Sequence, residues 1–126
     1  MDRDAVLAWV AGDEQAWRDN DADAVARLFT ENARYRRSPY EPDEVGHDAI
    51  QALWPDEDGT SFRMRVEPVA VEGDRAVVRV EVDYFTPRRQ QYRDLWVLTF
   101  GGDGRVVDFE EWAYWPGKPY SATAPD

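Results

Sequence analysis

Cysteine is absent from the 126 residues, which excludes disulfides, thiolate metal sites and cysteine nucleophiles together. Histidine occurs once, as His47, and one imidazole without thiols makes no zinc set, so neither a metal nor a cofactor is expected. Lysine is nearly missing: of 15 basic residues only Lys118 is lysine, a bias that fits either genome composition or an acid-rich, salt-adapted proteome. Long apolar runs are also lacking. The opening MDRDAVLAWVAGDEQAW has no uninterrupted apolar stretch behind a basic segment, so neither a signal peptide nor a membrane span is expected, and the predicted location is cytoplasmic. Positive charge is scarce overall. With 26 acidic residues the net charge is -11, which argues against nucleic acid or an anionic membrane as a partner.

What is present is globular: 43% hydrophobic and 33% charged residues, in a length that suits one domain. We place that domain at residues 1–115, followed by a proline-containing tail, 116–126, read as a surface strap or a disordered end. Val6, Val10, Asp13 and Trp17 fall on one helical stripe, predicting a helix from Arg3 to Arg18 that carries a carboxylate on its apolar face. Asn20-Asp21-Ala22-Asp23 breaks and recaps the chain. A short second helix is predicted over Ala22 to Phe29, a strand over Ala33 to Arg37, and a third helix from His47 to Trp54, ended by Pro55. From Ser61 the period changes to two. Phe62 to Val71, Arg75 to Thr86, Gln90 to Phe100 and Arg105 to Trp115 read as four long strands joined by short turns, giving an α+β class with a mostly antiparallel sheet.

Three segments carry a resemblance: Asn20 through Ala33, then Gly46-His47-Asp48-Ala49-Ile50, then Gly104-Arg105-Val106-Val107 opening an aromatic-rich last strand. In this order the chain resembles the SnoaL-like branch of the nuclear transport factor 2-like superfamily. The resemblance implies a cone in which three N-terminal helices pack on a strongly curved sheet, with a pocket open at one end and dimerisation through the outer sheet face. That superfamily includes steroid isomerases, polyketide cyclases, epoxide hydrolases, dehydratases and plain binding proteins, so fold alone does not choose a chemistry. Aligned with the steroid isomerases, Arg37 stands where the proton-abstracting aspartate belongs, Asp13 and Trp54 at two pocket tyrosines, and Trp96 at the protonated aspartate. All depart from that pattern, so steroid isomerisation is set aside while the positions are still expected to face the pocket. The limonene-type epoxide hydrolases offer another alignment, with Arg79, Glu81 and Glu111 as the triad. Against it, Val78, Val80, Val82 and Tyr84 form the apolar face of that strand, which sends Arg79, Glu81 and Asp83 to solvent.

Period two puts Asp94 and Trp96 on one strand face with Tyr92, Leu98 and Phe100, and Phe109, Glu111 and Ala113 on the inner face of the last strand. A carboxylate among aromatic rings is desolvated, which raises its pKa toward neutrality and suits proton transfer. Asp94, Glu111 and Asp13 are therefore the candidate catalytic groups, and Trp17, Tyr35, Arg37, Trp54 and Trp96 the candidate ligand contacts. Arg37 is read either as counter-ion to an anionic substrate or as partner to Asp94. His47 is expected at the surface. Gly101-Gly102-Asp103-Gly104 has no following helix and is no phosphate cradle, and Pro55-Asp56-Glu57-Asp58-Gly59 lacks calcium-loop spacing. Trp112 and Tyr114 fall on the outer face, where a second copy is expected. The reading is a small-molecule-binding protein for a cyclic, largely apolar ligand. Three alternatives stay open: a cofactor-independent acid/base enzyme (isomerase, cyclase, dehydratase or hydratase type), a binding module without turnover, or a limonene-type epoxide hydrolase using Arg79, Glu81 and Glu111.

Overall fold

The computed structural model describes residues 1–54 and 61–117. Helix α1, Arg3–Arg18, starts at Asp2, whose carboxylate accepts from the Ala5 N–H at 2.8 Å, and stops at Asp19, whose N–H returns to Gln15 O at 2.9 Å. Asn20 follows at φ 51°, a left-handed conformation that asparagine tolerates and that turns the chain back. Val6, Trp9, Val10 and Ala16 are its buried residues. A 3-10 turn, Ala22–Ala24, leads into the single-turn helix α2, Val25–Leu28, and the Trp9 indole N–H donates to Leu28 O at 2.9 Å, pinning the two helices together.

Phe29 does not belong to the second helix. It is extended, at φ -124° and ψ 146°, and opens β1, Phe29–Arg36, so the strand begins four residues before the predicted Ala33 and ends one before Arg37. The cause is tertiary: Phe29 pairs with Val106 and fills the core, which outweighs continuation of a helix too short to hold itself. A two-residue strand β2, Glu44–Val45, was not legible from periodicity. Helix α3 covers His47–Gln51 only, three residues short of Trp54, and the expected stop at Pro55 lies outside the described residues, as do the acidic Asp56-Glu57-Asp58 stretch and most of the C-terminal tail. His47 is not simply exposed: its Nε2 hydrogen-bonds Phe29 O at 2.9 Å.

The long strands are β3, Ser61–Glu72; β4, Arg75–Thr86; β5, Gln90–Phe100; and β6, Val106–Tyr114. They join β1 and β2 in one six-stranded sheet of order β2-β1-β6-β5-β4-β3, antiparallel throughout except for the parallel pair β1–β6. The class is therefore α+β with few helices, as the pattern predicts. Alternation is clean in β4 and β5: Ala76, Val78, Val80 and Val82, then Asp94, Trp96, Leu98 and Phe100, are buried on one face. Helix α1 is tied to β3 by Arg18, which donates to Phe62 O at 2.8 Å and lies over its ring at 4.1 Å. No helix among the described residues is long and apolar enough to cross a membrane.

The parallel pair is clamped on the other face by Arg36, which bonds Glu110 at 2.7 and 3.0 Å and also pairs with Asp43 and Asp108. Trp112 Nε1–H donates to the other Glu110 oxygen at 2.7 Å. Arg36 is largely shielded from solvent, so removing it takes the cation from Asp43 and Glu110, while Asp108 keeps its pair with Arg34 at 2.8 Å. Arg36→Met is expected to lower stability by about 2 kcal/mol in chemical denaturation. A change within about 0.5 kcal/mol would mean the clamp is ornamental.

Candidate functional site

Two strands and one helix bring the carboxyl groups together. Among the described residues, Asp94 on β5 is the one charged residue in the buried set, at 6% exposure. It registers with Ala113, while Trp96 registers with Glu111, so Asp94 and Glu111 are diagonal neighbours on one face of an antiparallel pair. Their carboxyls lie within hydrogen-bonding reach. Asp13 comes from the opposite side, one helical turn before Trp17 on α1.

Electrostatics follow from that placement. Burial first, then the Asp94 carboxyl and the Asp13 charge, push Glu111 up from 4.5 to about 9. The Trp96 indole N–H opposes the rise from outside strict hydrogen-bond geometry. Asp13 is raised from 3.8 to about 7, by burial and secondarily by Glu14. The Tyr35 hydroxyl stays protonated far above its ordinary range, because it is buried and faces Glu111, Asp13 and Asp94. Asp94 is buried and Asp13, Tyr35 and Glu111 are half-buried around it, so the four groups share one partly desolvated region.

Aromatic rings enclose it. Tyr35 stacks on Phe109 at 4.3 Å and 7°, and Trp96 meets Phe109 at 5.1 Å. Trp17 packs edge-on against Trp54 at 5.3 Å, and its N–H donates to the Tyr84 hydroxyl at 3.0 Å, bridging helix to sheet. Tyr84 in turn meets Phe62 at 5.3 Å and Tyr92 at 5.9 Å. The tryptophans thus split: Trp17 and Trp54 touch, whereas Trp96 packs on Phe109 and not on them. Tyr84 was visible in the sequence as part of an apolar stripe, but the bond from Trp17 was not.

Two expectations fail. Arg37 does not turn inward; its side chain is 58% exposed and pairs with Glu41 at 3.8 Å, although its charge still reaches Tyr35. It lies one residue past the end of β1, so the loop, and not strand alternation, sets its direction. The triad of Arg79, Glu81 and Glu111 fails as well. Arg79 and Glu81 occupy the outer face, where Glu81 pairs with Arg93 at 3.5 Å, while Glu111 stands inside. Arg93 also reaches Asp83 at 3.2 Å, which directs it away from the inner face that holds Asp94. Elsewhere, a groove of about 200 Å³ between α1 and α2, lined by Gln15, Asp19, Asp21 and Arg27, shares no residue with the carboxyl cluster.

A model of the SnoaL-like domain matches residues 6–109. Among curated proteins none matches. Similar solved structures include an LEH-like epoxide hydrolase from M. tuberculosis, with 16% identity, a TM-score of 0.69, and coverage of 87% of this chain and 83% of the other. A nuclear transport factor 2-like protein of unknown function from Mesorhizobium loti shows 23% identity and a TM-score of 0.66, covering 90% and 95% of the two chains. The epoxide hydrolase/cyclase-like enzyme SalBIII, described in pyran ring formation in the polyether salinomycin, shows 15% identity and a TM-score of 0.65 over 92% and 91%. At these identities the likeness concerns the fold.

Proposed function

The chain belongs to the SnoaL-like domain family, and on that premise we propose that it binds a small, largely apolar cyclic molecule in an aromatic-lined pocket and moves protons on it without a cofactor. The observation that carries this reading is the carboxyl cluster, where Glu111 is held protonated beside Asp94 while Asp13 titrates near neutrality. Sites that keep one carboxyl neutral next to another are suited to run acid and base chemistry together.

In this reading Asp94 takes a proton from water or from a substrate hydroxyl. The oxygen left bearing the electron pair attacks carbon, a C–O bond breaks, and the departing oxygen takes its proton from Glu111. Transfer across the Asp94–Glu111 contact then restores the starting state, so hydration and cyclisation differ only in whether the nucleophile is water or part of the substrate. Isomerisation and dehydration need the same pair. Tyr35 donates a hydrogen bond to developing negative charge. One of the similar structures is named an epoxide hydrolase and another is described in pyran ring formation, which supports this reaction class without fixing a substrate.

The test is a panel of small cyclic epoxides, enones and hydroxyketones, followed by chromatography. Product at least about tenfold above buffer for one class is the expected result, a modest demand beside ordinary enzymatic accelerations. Saturable binding with no product from any class would instead support a binding module.

We also propose a homodimer through the outer sheet face. Leu95, Trp112 and Tyr114 are 42%, 41% and 42% exposed, and Leu95 is the direct register partner of Trp112. Light scattering should give twice the chain mass, and Leu95→Asp should halve it; a monomeric wild type contradicts the proposal.

A further inference from the structure

Three of the indole N–H groups have acceptors inside the protein. Trp9 donates to Leu28 O, Trp17 to the Tyr84 hydroxyl and Trp112 to Glu110, at 2.9, 3.0 and 2.7 Å. Trp54 and Trp96 differ. Each residue is only 7% exposed and each indole nitrogen is buried without a well-formed hydrogen bond, the Trp96 N–H lying near enough to the Glu111 carboxyl to oppose its pKa rise. Buried donors are almost always satisfied, because an unmet one loses its water and gains nothing in return. Two among the described residues call for an explanation: Trp96 lies on the wall of the carboxyl site, and Trp54 adjoins it through Trp17 and Tyr84, whose hydroxyl feels the Glu111 and Asp94 charges. Trp96 stands in register with Glu111 and packs on Phe109. Trp54 lies against Trp17, whose own N–H is already committed to Tyr84.

We propose that the indole N–H groups of Trp54 and Trp96 are the donors by which this site recognises its ligand, selecting a cyclic molecule with a neutral oxygen acceptor over the hydrocarbon of the same shape. The inference rests on the pocket reading above and adds to it the part of the molecule that is read. A ketone, lactone or ether oxygen suits these donors. An anionic acceptor does not, because the region is already crowded with carboxyl groups from Asp13, Asp94 and Glu111, and a further negative charge there is disfavoured by burial. The flat rings bind the body of the ligand, and the two indoles set its orientation. Phenylalanine at either position would keep most of the stacking surface and lose the donor, so the two contributions can be separated.

The probes are α-tetralone and tetralin, which share a ring system and differ by one carbonyl oxygen. Indole N–H resonances of the isotope-labelled full chain are followed during titration, with Trp54→Phe and Trp96→Phe supplying the assignments. The expected result is that α-tetralone binds about tenfold more tightly than tetralin, the value of one or two net hydrogen bonds. The Trp54 and Trp96 signals should move downfield while those of Trp9 and Trp112 hold, and the preference should disappear in the double variant. Equal affinities with unmoved Trp54 and Trp96 signals would overturn the donor assignment and leave the pocket standing. Failure of both probes to bind in the millimolar range would remove the pocket reading itself, and this inference with it.

Discussion

Replacing Glu111 with glutamine is expected to raise the melting temperature in mild alkali, the reverse of what loss of a carboxylate usually does. The unfolded chain releases the Glu111 proton near 4.5, whereas the folded protein keeps it until about 9. The folded state therefore binds more protons through that interval. Stability from this group is fully present below about 4.5 and is lost progressively as the pH rises toward 9. Asp13 adds a smaller loss of the same sign between 3.8 and about 7. Glu110 works in the opposite direction: Trp112 and Arg36 hold its pKa down, so its contribution is present at neutral pH and lost in acid. Glutamine keeps the shape of the neutral acid and cannot ionise. At about pH 9 the variant should gain about 2 kcal/mol, or roughly 8 °C, a figure already reduced for residual solvent access and for the coupling to Asp94. At about pH 5 the two proteins should melt together. An equal shift at both pH values would show that Glu111 acts through packing and not through its proton.

Catalysis supplies the second large effect. With a turned-over member of the substrate panel, Asp94→Asn is expected to lower kcat by about a hundredfold or more and to leave KM nearly unchanged, since the amide preserves volume but cannot accept the proton. Glu111→Gln should cost a comparable factor and also remove the alkaline limb of the pH profile, which in the wild type marks ionisation of the Asp94–Glu111 pair. Full activity in both variants would reject the acid/base assignment. Loss in Asp94→Asn alone would make Glu111 a positioning residue.

Much of this site was legible because it lies on strands. Once β5 is phased by Leu98 and Phe100, period two fixes Asp94 and Trp96 on the inner face, and the same rule places Phe109 and Glu111 on β6. Asp13 was legible through its helical stripe with Val6 and Val10. Strand phase also argues against an inward Arg79 and Glu81, in agreement with their place on the outer face. Arg37 was misplaced because it stands beyond the last paired residue of β1, where alternation no longer applies. Phe29 was misplaced because its partner, Val106, is far away in sequence, and no local pattern records a parallel pairing. The missing acceptors of Trp54 and Trp96 had no sequence signal at all, since hydrogen-bond satisfaction depends on what packs around a donor.

A carboxyl group inside the sheet, Glu111, keeps its proton at neutral pH because it is partly withdrawn from water and Asp94 sits beside it. Carboxyl-carbon resonances of isotope-labelled protein, followed across the pH range and assigned with Asp13→Asn, Asp94→Asn and Glu111→Gln, measure this directly. Glu111 is expected to titrate near 9 and Asp13 near 7. Titration of Asp13, Asp94 and Glu111 all in the ordinary carboxylate range, around 4, would contradict it.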